Sequence, residues 1–153
     1  MSTKTAPRAT TYDGDFKVWT ETQARALRGR RAAELDWENL AEEIESLGRS
    51  DQREVKSRLT TLLVHLLKWR YQPEKRSDSW ADTIARERLE LPFIFEQSPS
   101  LVSFAEAAFA KAYRLARSEA ARQTGLPIRH LPIEPPFSVD DVLDPDFWPD
   151  NPS

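Results

Sequence analysis

Apolar residues recur every three to four positions along most of this chain, and nowhere do they alternate one by one as in a half-buried strand. Between Asp15 and about Arg28, Phe16, Trp19, Gln23 and Leu27 mark a first amphipathic helix. Asp36 is placed to cap a second, with Trp37, Leu40, Ile44 and Leu47 as its stripe and Gly48 as its stop. Ser50 caps a third, whose stripe is Val55, Leu59, Leu62, Leu66 and Trp69, widened by Leu63 and Leu67. That helix should end before Pro73, because the residue ahead of a proline resists helical angles. Ser77 or Asp78 starts a fourth, aligning Trp80, Ile84 and Leu91, with Pro92 as its kink or stop. Ser98 and Pro99 then open a fifth, serine at the cap and proline at the first helical position. Running to Thr124, it would be about 39 Å long at 1.5 Å per residue.

The fifth helix has the widest apolar arc. Leu101, Ala105, Ala108, Ala112 and Ala116 form a smooth strip, flanked by Phe104, Phe109, Tyr113 and Leu115. That is more than one neighbour needs, so residues 101–116 are a candidate face for a second copy. Beyond Gly125 and Pro127 the chain is proline-rich and acidic, with a capped turn predicted where Ser138 can reach the amide near Asp141. Phe137, Phe147 and Trp148 predict that this tail docks on the helices. The expected architecture is all-α: an antiparallel bundle of about five helices (residues 12–126), a disordered lead-in (1–11) and a packed irregular tail (127–153).

Several short stretches, in order, carry a resemblance: LDWENLAEEIESLGRS (35–50), LLVHLLKWRYQP (62–73), RSDSW (76–80), Thr83–Ile84, SPSL (98–101) and TGLP (124–127). Together they resemble the bacterial domain-of-unknown-function family twenty-nine, over Tyr12 to about Trp148. The resemblance implies a mainly helical single domain and brings no activity, cofactor or catalytic residue. Pro92, inside what would otherwise be a longer fourth helix, departs from the pattern.

Composition removes several functions. With no cysteine there is neither a disulfide framework nor a thiolate zinc site. The longest uncharged stretches are nine residues, Leu59 to Leu67 and Gln97 to Ala105, against about 20 for a membrane span. The opening MSTKTAPRATT lacks the apolar segment of a signal peptide, and a cytoplasmic protein is expected. All four glycines punctuate helices, leaving none for a phosphate loop. HExxH, GxSxG and paired Glu-x-x-His motifs are missing, and no metal or cofactor is expected. Glu42 and Glu45 imitate half of a magnesium site whose second half is not there.

Net charge is −3 and unevenly spread: six acids and no base in residues 34–45, eight bases against three acids in 49–76. The basic block could track a nucleic-acid backbone, but its simpler use is attraction within the fold. On the second helix Glu38, Glu42 and Glu45 face away from the apolar side, whereas Glu43 sits at its edge. A carboxylate there needs a partner. Arg58 and His65, flanking the third stripe, are candidates, and Glu87 with Arg88 on the fourth helix extends a possible polar seam. If the seam were a ligand pocket, Trp69 and Trp80 would line it, with Glu43 as base or ligand and Arg58 and His65 as anion partners. No catalytic residue is assigned on this pattern. The leading expectation is a non-catalytic helical module that binds another protein or itself. A small enzyme or ligand binder at the seam comes second, and a nucleic-acid-associated protein third.

Overall fold

Gly48 does not stop a helix. In the computed structural model, which describes residues 11–150, helix α2 runs without a break over Trp37–Tyr71, so the two helices expected on either side of Gly48 are one. A glycine ends a helix only where something makes leaving helical angles worthwhile. Here the stripes on either side are in register: Trp37 and Val55 are eighteen positions apart, five turns at 3.6 residues per turn. A methyl group added at Gly48 would meet nothing within 4 Å. Gly48→Ala should therefore stabilise the protein by about 0.5–1 kcal/mol, the glycine penalty of a helix interior. Urea denaturation of the two forms checks this, and a loss of stability would contradict the continuous helix.

The other helices are α1 (Phe16–Arg28), α3 (Asp78–Gln97), α4 (Ser100–Thr124) and α5 (Val139–Leu143). Short 3₁₀ turns occupy Ala32–Glu34, Pro73–Lys75 and Ile128–His130. The described residues are thus all-α, with five α-helices and no strand. The fifth is the capped turn of the tail, not a fifth long rod. Of the expected lead-in, residues 1–10 lie outside the described residues.

Caps explain most boundaries. The Asp15 carboxylate accepts from the Val18 amide at 3.1 Å, and Ser77 accepts from Trp80 at 3.3 Å. At α5, Ser138 and Asp141 cap each other reciprocally. Gly125 ends α4 at φ 73°, a conformation that penalises any side chain. Ser98 behaves differently from the expectation. Its amide bonds the Ile94 carbonyl and closes α3, while its hydroxyl caps nothing. Pro92 neither stops nor shortens α3, which continues to Gln97. It sits on the exposed side, where water can take the carbonyl that its missing N–H leaves free.

The chain falls into two compact units, Met1–Arg49 and Ser50–Ser153. In the first, α1 buries Trp19, Gln23 and Ala26, with Tyr12 edge-on to Trp19 at 4.9 Å. Gln23 is held at both ends. Its amide nitrogen donates to the Glu34 carbonyl at 3.3 Å and its oxygen accepts from the Asp36 amide at 2.7 Å. In the second unit the later turns of α2 bury Val55, Leu59, Leu62, Leu63, Val64, Leu66 and Leu67, on nearly all sides of the rod, as a central helix requires. Ile84 and Leu91 from α3, and Leu101, Ala105, Ala112 and Ala116 from α4, complete the core with Leu131, Phe137 and Val142 of the tail.

Candidate functional site

The residues expected to form one polar seam have separate partners. Glu43 bonds neither Arg58 nor His65. Its carboxylate accepts from the Tyr12 hydroxyl at 2.5 Å within the N-terminal unit, and that bond holds the tyrosine above its ordinary pKa. Because α2 is continuous, Glu43 and Arg58 belong to one helix. The expected bridge between two helices has no second helix to reach.

Arg58 and Glu87 do meet. The guanidinium donates to Glu54 at 3.0 Å and to Glu87 at 3.1 Å, and lies 4.0 Å from Glu90. The Glu87 side chain is 6% exposed, and Arg86 approaches it at 3.5 Å from the other side. The bonds to Glu54 and Glu87 hold the Arg58 pKa above its ordinary value. His65 is apart from this pair. Its Nδ1–H donates to the Thr61 carbonyl at 2.8 Å, which fixes the tautomer, and burial pushes its pKa down.

Arg88, next to Glu87 in sequence, turns to the tail. Its Nε donates to the Val142 carbonyl at 2.8 Å and its Nη2 to Asp141 at 3.3 Å. These carbonyls end α5; that of Asp141 also accepts from the Asp144 amide at 3.2 Å, so the cation adds to the helix's own bonding and suits its dipole. The same device recurs along the tail. Arg117 donates to the carbonyls of Leu131 and Ile128, both at 3.0 Å, and the Tyr113 hydroxyl to that of Pro132 at 2.6 Å. Burial pushes the Tyr113 pKa up to about 12, so this donor keeps its proton. A proline-rich segment has few amides to pair its carbonyls. Side chains of α3 and α4 add donors, to the carbonyls of Leu131, Pro132 and Val142 and, beside backbone amides, to those of Ile128 and Asp141.

The expected pocket tryptophans are also divided. Trp69 packs against Trp148 at 4.7 Å, with the Arg76 guanidinium 5.0 Å above its ring and Arg88 5.7 Å from that of Trp148. The four make a ladder of cation, two indoles and cation that anchors the end of the tail. Trp80 instead carries the Lys68 ammonium at 4.6 Å. Several bases of the 49–76 block are engaged by their own chain, Arg49 on Glu42 at 2.7 Å among them.

The apolar face that sequence reasoning assigned to the core lies open. Trp37 is 63% exposed, Ile44 67% and Leu47 69%. Alongside, α1 and the first turns of α2 border an apolar groove of about 300 Å³, lined by Phe16, Trp19, Ala24, Leu27, Leu40 and Leu47. The opposite correction applies to residues 101–116. Leu101, Ala105, Ala112 and Ala116 are buried in the C-terminal unit's own core and present no free strip to a second copy. The sequence did carry a signal for the exposed face: its stripe belongs to the helix segment with the densest acids.

Among the described residues no helix is long and apolar enough to cross a membrane, and no three His, Asp or Glu side chains are grouped to hold a metal ion. No curated protein and no solved structure matches the chain. The family model described as domain of unknown function DUF29 matches residues 11–148. The expected resemblance thus extends over nearly the whole sequence, and the chain belongs to the DUF29 family.

Proposed function

We propose that this protein is a non-catalytic, cytoplasmic helical interaction module, and that the open face of its N-terminal unit is the surface it uses. The observation that supports this reading is the exposure of Trp37, Ile44 and Leu47 beside an apolar groove. Single exposed apolar residues are ordinary, whereas a contiguous patch of them marks a binding surface. Aromatic residues such as Trp37 and Phe16 suit the centre of such a contact. The polar groups named as candidate chemistry support the same reading, since each is engaged inside the protein. Glu43 holds Tyr12, Arg58 and Glu87 neutralise each other, and Arg88 holds the tail.

The test replaces the face with charge. Ile44→Glu together with Leu47→Glu should leave the helical circular dichroism intact. At protein concentrations low enough to exclude association, the unfolding free energy should move by no more than about 0.5 kcal/mol per site, as exposed positions do. A loss of several kcal/mol would place these residues in the protein's own core and end the interaction reading.

A further inference from the structure

We infer that Arg88, Leu89 and Trp148 form a site for a small apolar carboxylate, its acid group on the guanidinium and its hydrocarbon body against the indole. The site lies between α3 and the tail, within the C-terminal unit, and is independent of the open face of the N-terminal unit. The first observation is a cation whose needs the chain does not meet. Arg88 is 5% exposed. Its Nε and one N–H of Nη2 are spent on the carbonyls of Val142 and Asp141. Nη1 is buried and meets no acceptor among the described residues. None of their carboxylates forms an ion pair with it either. Glu87, beside it in sequence, is taken by Arg58 and Arg86, and Asp144 reaches it only at longer range. A buried charge without a counter-ion is costly, and carbonyl dipoles offset only part of that cost. Burial accordingly pushes the Arg88 pKa down.

The second observation is the space beside this cation. A pocket of about 240 Å³ is lined by Arg88 with Ala85, Leu89, Pro145 and Trp148. Apart from the guanidinium its walls are hydrocarbon and indole. Phosphate or sulfate suits them poorly, because the outer oxygens of either would lie against apolar surface. An uncharged apolar molecule would leave Nη1 without an acceptor. A carboxylate on an apolar body meets both demands. Nη1 and the second N–H of Nη2 form the parallel fork that donates to two carboxylate oxygens. The size suits a single ring, since a cavity of about 150 Å³ holds one benzene. Trp148 is 38% exposed, which leaves part of its indole uncovered for a ring to stack on. Nη1 has almost no open surface, so the acid meets it through a small displacement of the walls. Leu89, exposed on α3, and Trp148, near the end of the tail, are the freest to give.

The experiment is an NMR titration of the isotope-labelled full chain with phenylacetate, followed on the indole N–H signals, among which Trp148→Phe identifies that of Trp148. Phenylacetate should shift the Trp148 signal saturably, with a dissociation constant of about 1 mM, as its roughly ten heavy atoms allow. Phenylacetamide has the same shape without the charge and should bind at least about tenfold more weakly. Arg88→Gln would remove the fork together with the bonds that hold the tail, so the deciding variant is Ala85→Phe. It fills the pocket from an exposed position. The unfolding midpoint should stay where it is in the parent, while phenylacetate binding weakens at least about tenfold. No saturable shift of the Trp148 signal at tens of millimolar phenylacetate overturns the site. Equal binding of the acid and the amide overturns the part given to Arg88. Undiminished binding to Ala85→Phe places the acid elsewhere and overturns the pocket.

Discussion

Phe137→Ala should lower the unfolding free energy of the C-terminal unit by about 3–5 kcal/mol, the usual cost of emptying a phenylalanine site in a packed core. Phe137 is 3% exposed and packs at 5.9 Å against Phe147. Ile133→Ala, four residues earlier in the same irregular segment, should change stability by no more than about 0.5 kcal/mol, since Ile133 is 75% exposed. Guanidinium denaturation followed by circular dichroism at 222 nm measures both. Two equal effects, large or small, would mean that the tail is not divided into core and surface as the structure has it. The contrast matters because a segment with no long helix has little of its own to keep it folded. Leu131, Phe137 and Val142 hold it through burial, while Arg88, Tyr113 and Arg117 occupy its carbonyls.

That docking was legible in Phe137, Phe147 and Trp148, which a solvated tail has no use for. The partners were not. Nothing local to Arg88, Tyr113 or Arg117 says that they serve carbonyls 11 to 54 residues away, because hydrogen bonds to backbone leave no pattern in the sequence. Caps were readable in part. Ser77 and the Ser138–Asp141 pair each lie within three residues of the amides they bind, as their spacing predicts, whereas Ser50, also expected to cap a helix, lies inside α2, and Ser98 does not cap α4.

The misreadings have one common cause, which is that periodicity reports a face but not what lies against it. Gly48 looked like a stop because glycine commonly ends helices, yet the five-turn register between Trp37 and Val55 was present in the sequence and favours one rod. Once α2 is continuous, a polar seam between its two halves is impossible, and Glu43 is left to Tyr12. The same stripe is open to solvent at Trp37, Ile44 and Leu47 and buried from Val55 onward, a change of environment that its spacing does not reveal. For α4 the strip of small residues was read correctly as a close-packing surface. Its neighbour is the protein's own core and not a second copy.

Arg58→Met should cost about 3 kcal/mol, near the lower end for breaking a buried pair by removing one partner. The reasoning starts from Glu87, whose side chain is 6% exposed and would keep its charge with only Arg86, at 3.5 Å, to offset it. Arg58 itself is a quarter exposed, so its own removal from water costs less than that of Glu87. Glu87→Leu should cost less than Arg58→Met, because the arginine left behind keeps Glu54 at 3.0 Å and reaches water. The double variant, with a methionine and a leucine packed where the pair was, should recover most of the loss, giving a coupling of about 1–3 kcal/mol in a double-mutant cycle. Urea unfolding of the four proteins supplies the cycle. Additive effects would mean that the two groups do not sense each other, contrary to the 3.1 Å contact between them. A double variant as unstable as Arg58→Met alone would assign the loss to the packing of the arginine stem. If the cycle closes as expected, the pair fixes how α2 and α3 sit against each other while adding little net stability, although the sequence pointed to Glu43 and not to Glu87 as the carboxylate that Arg58 would meet.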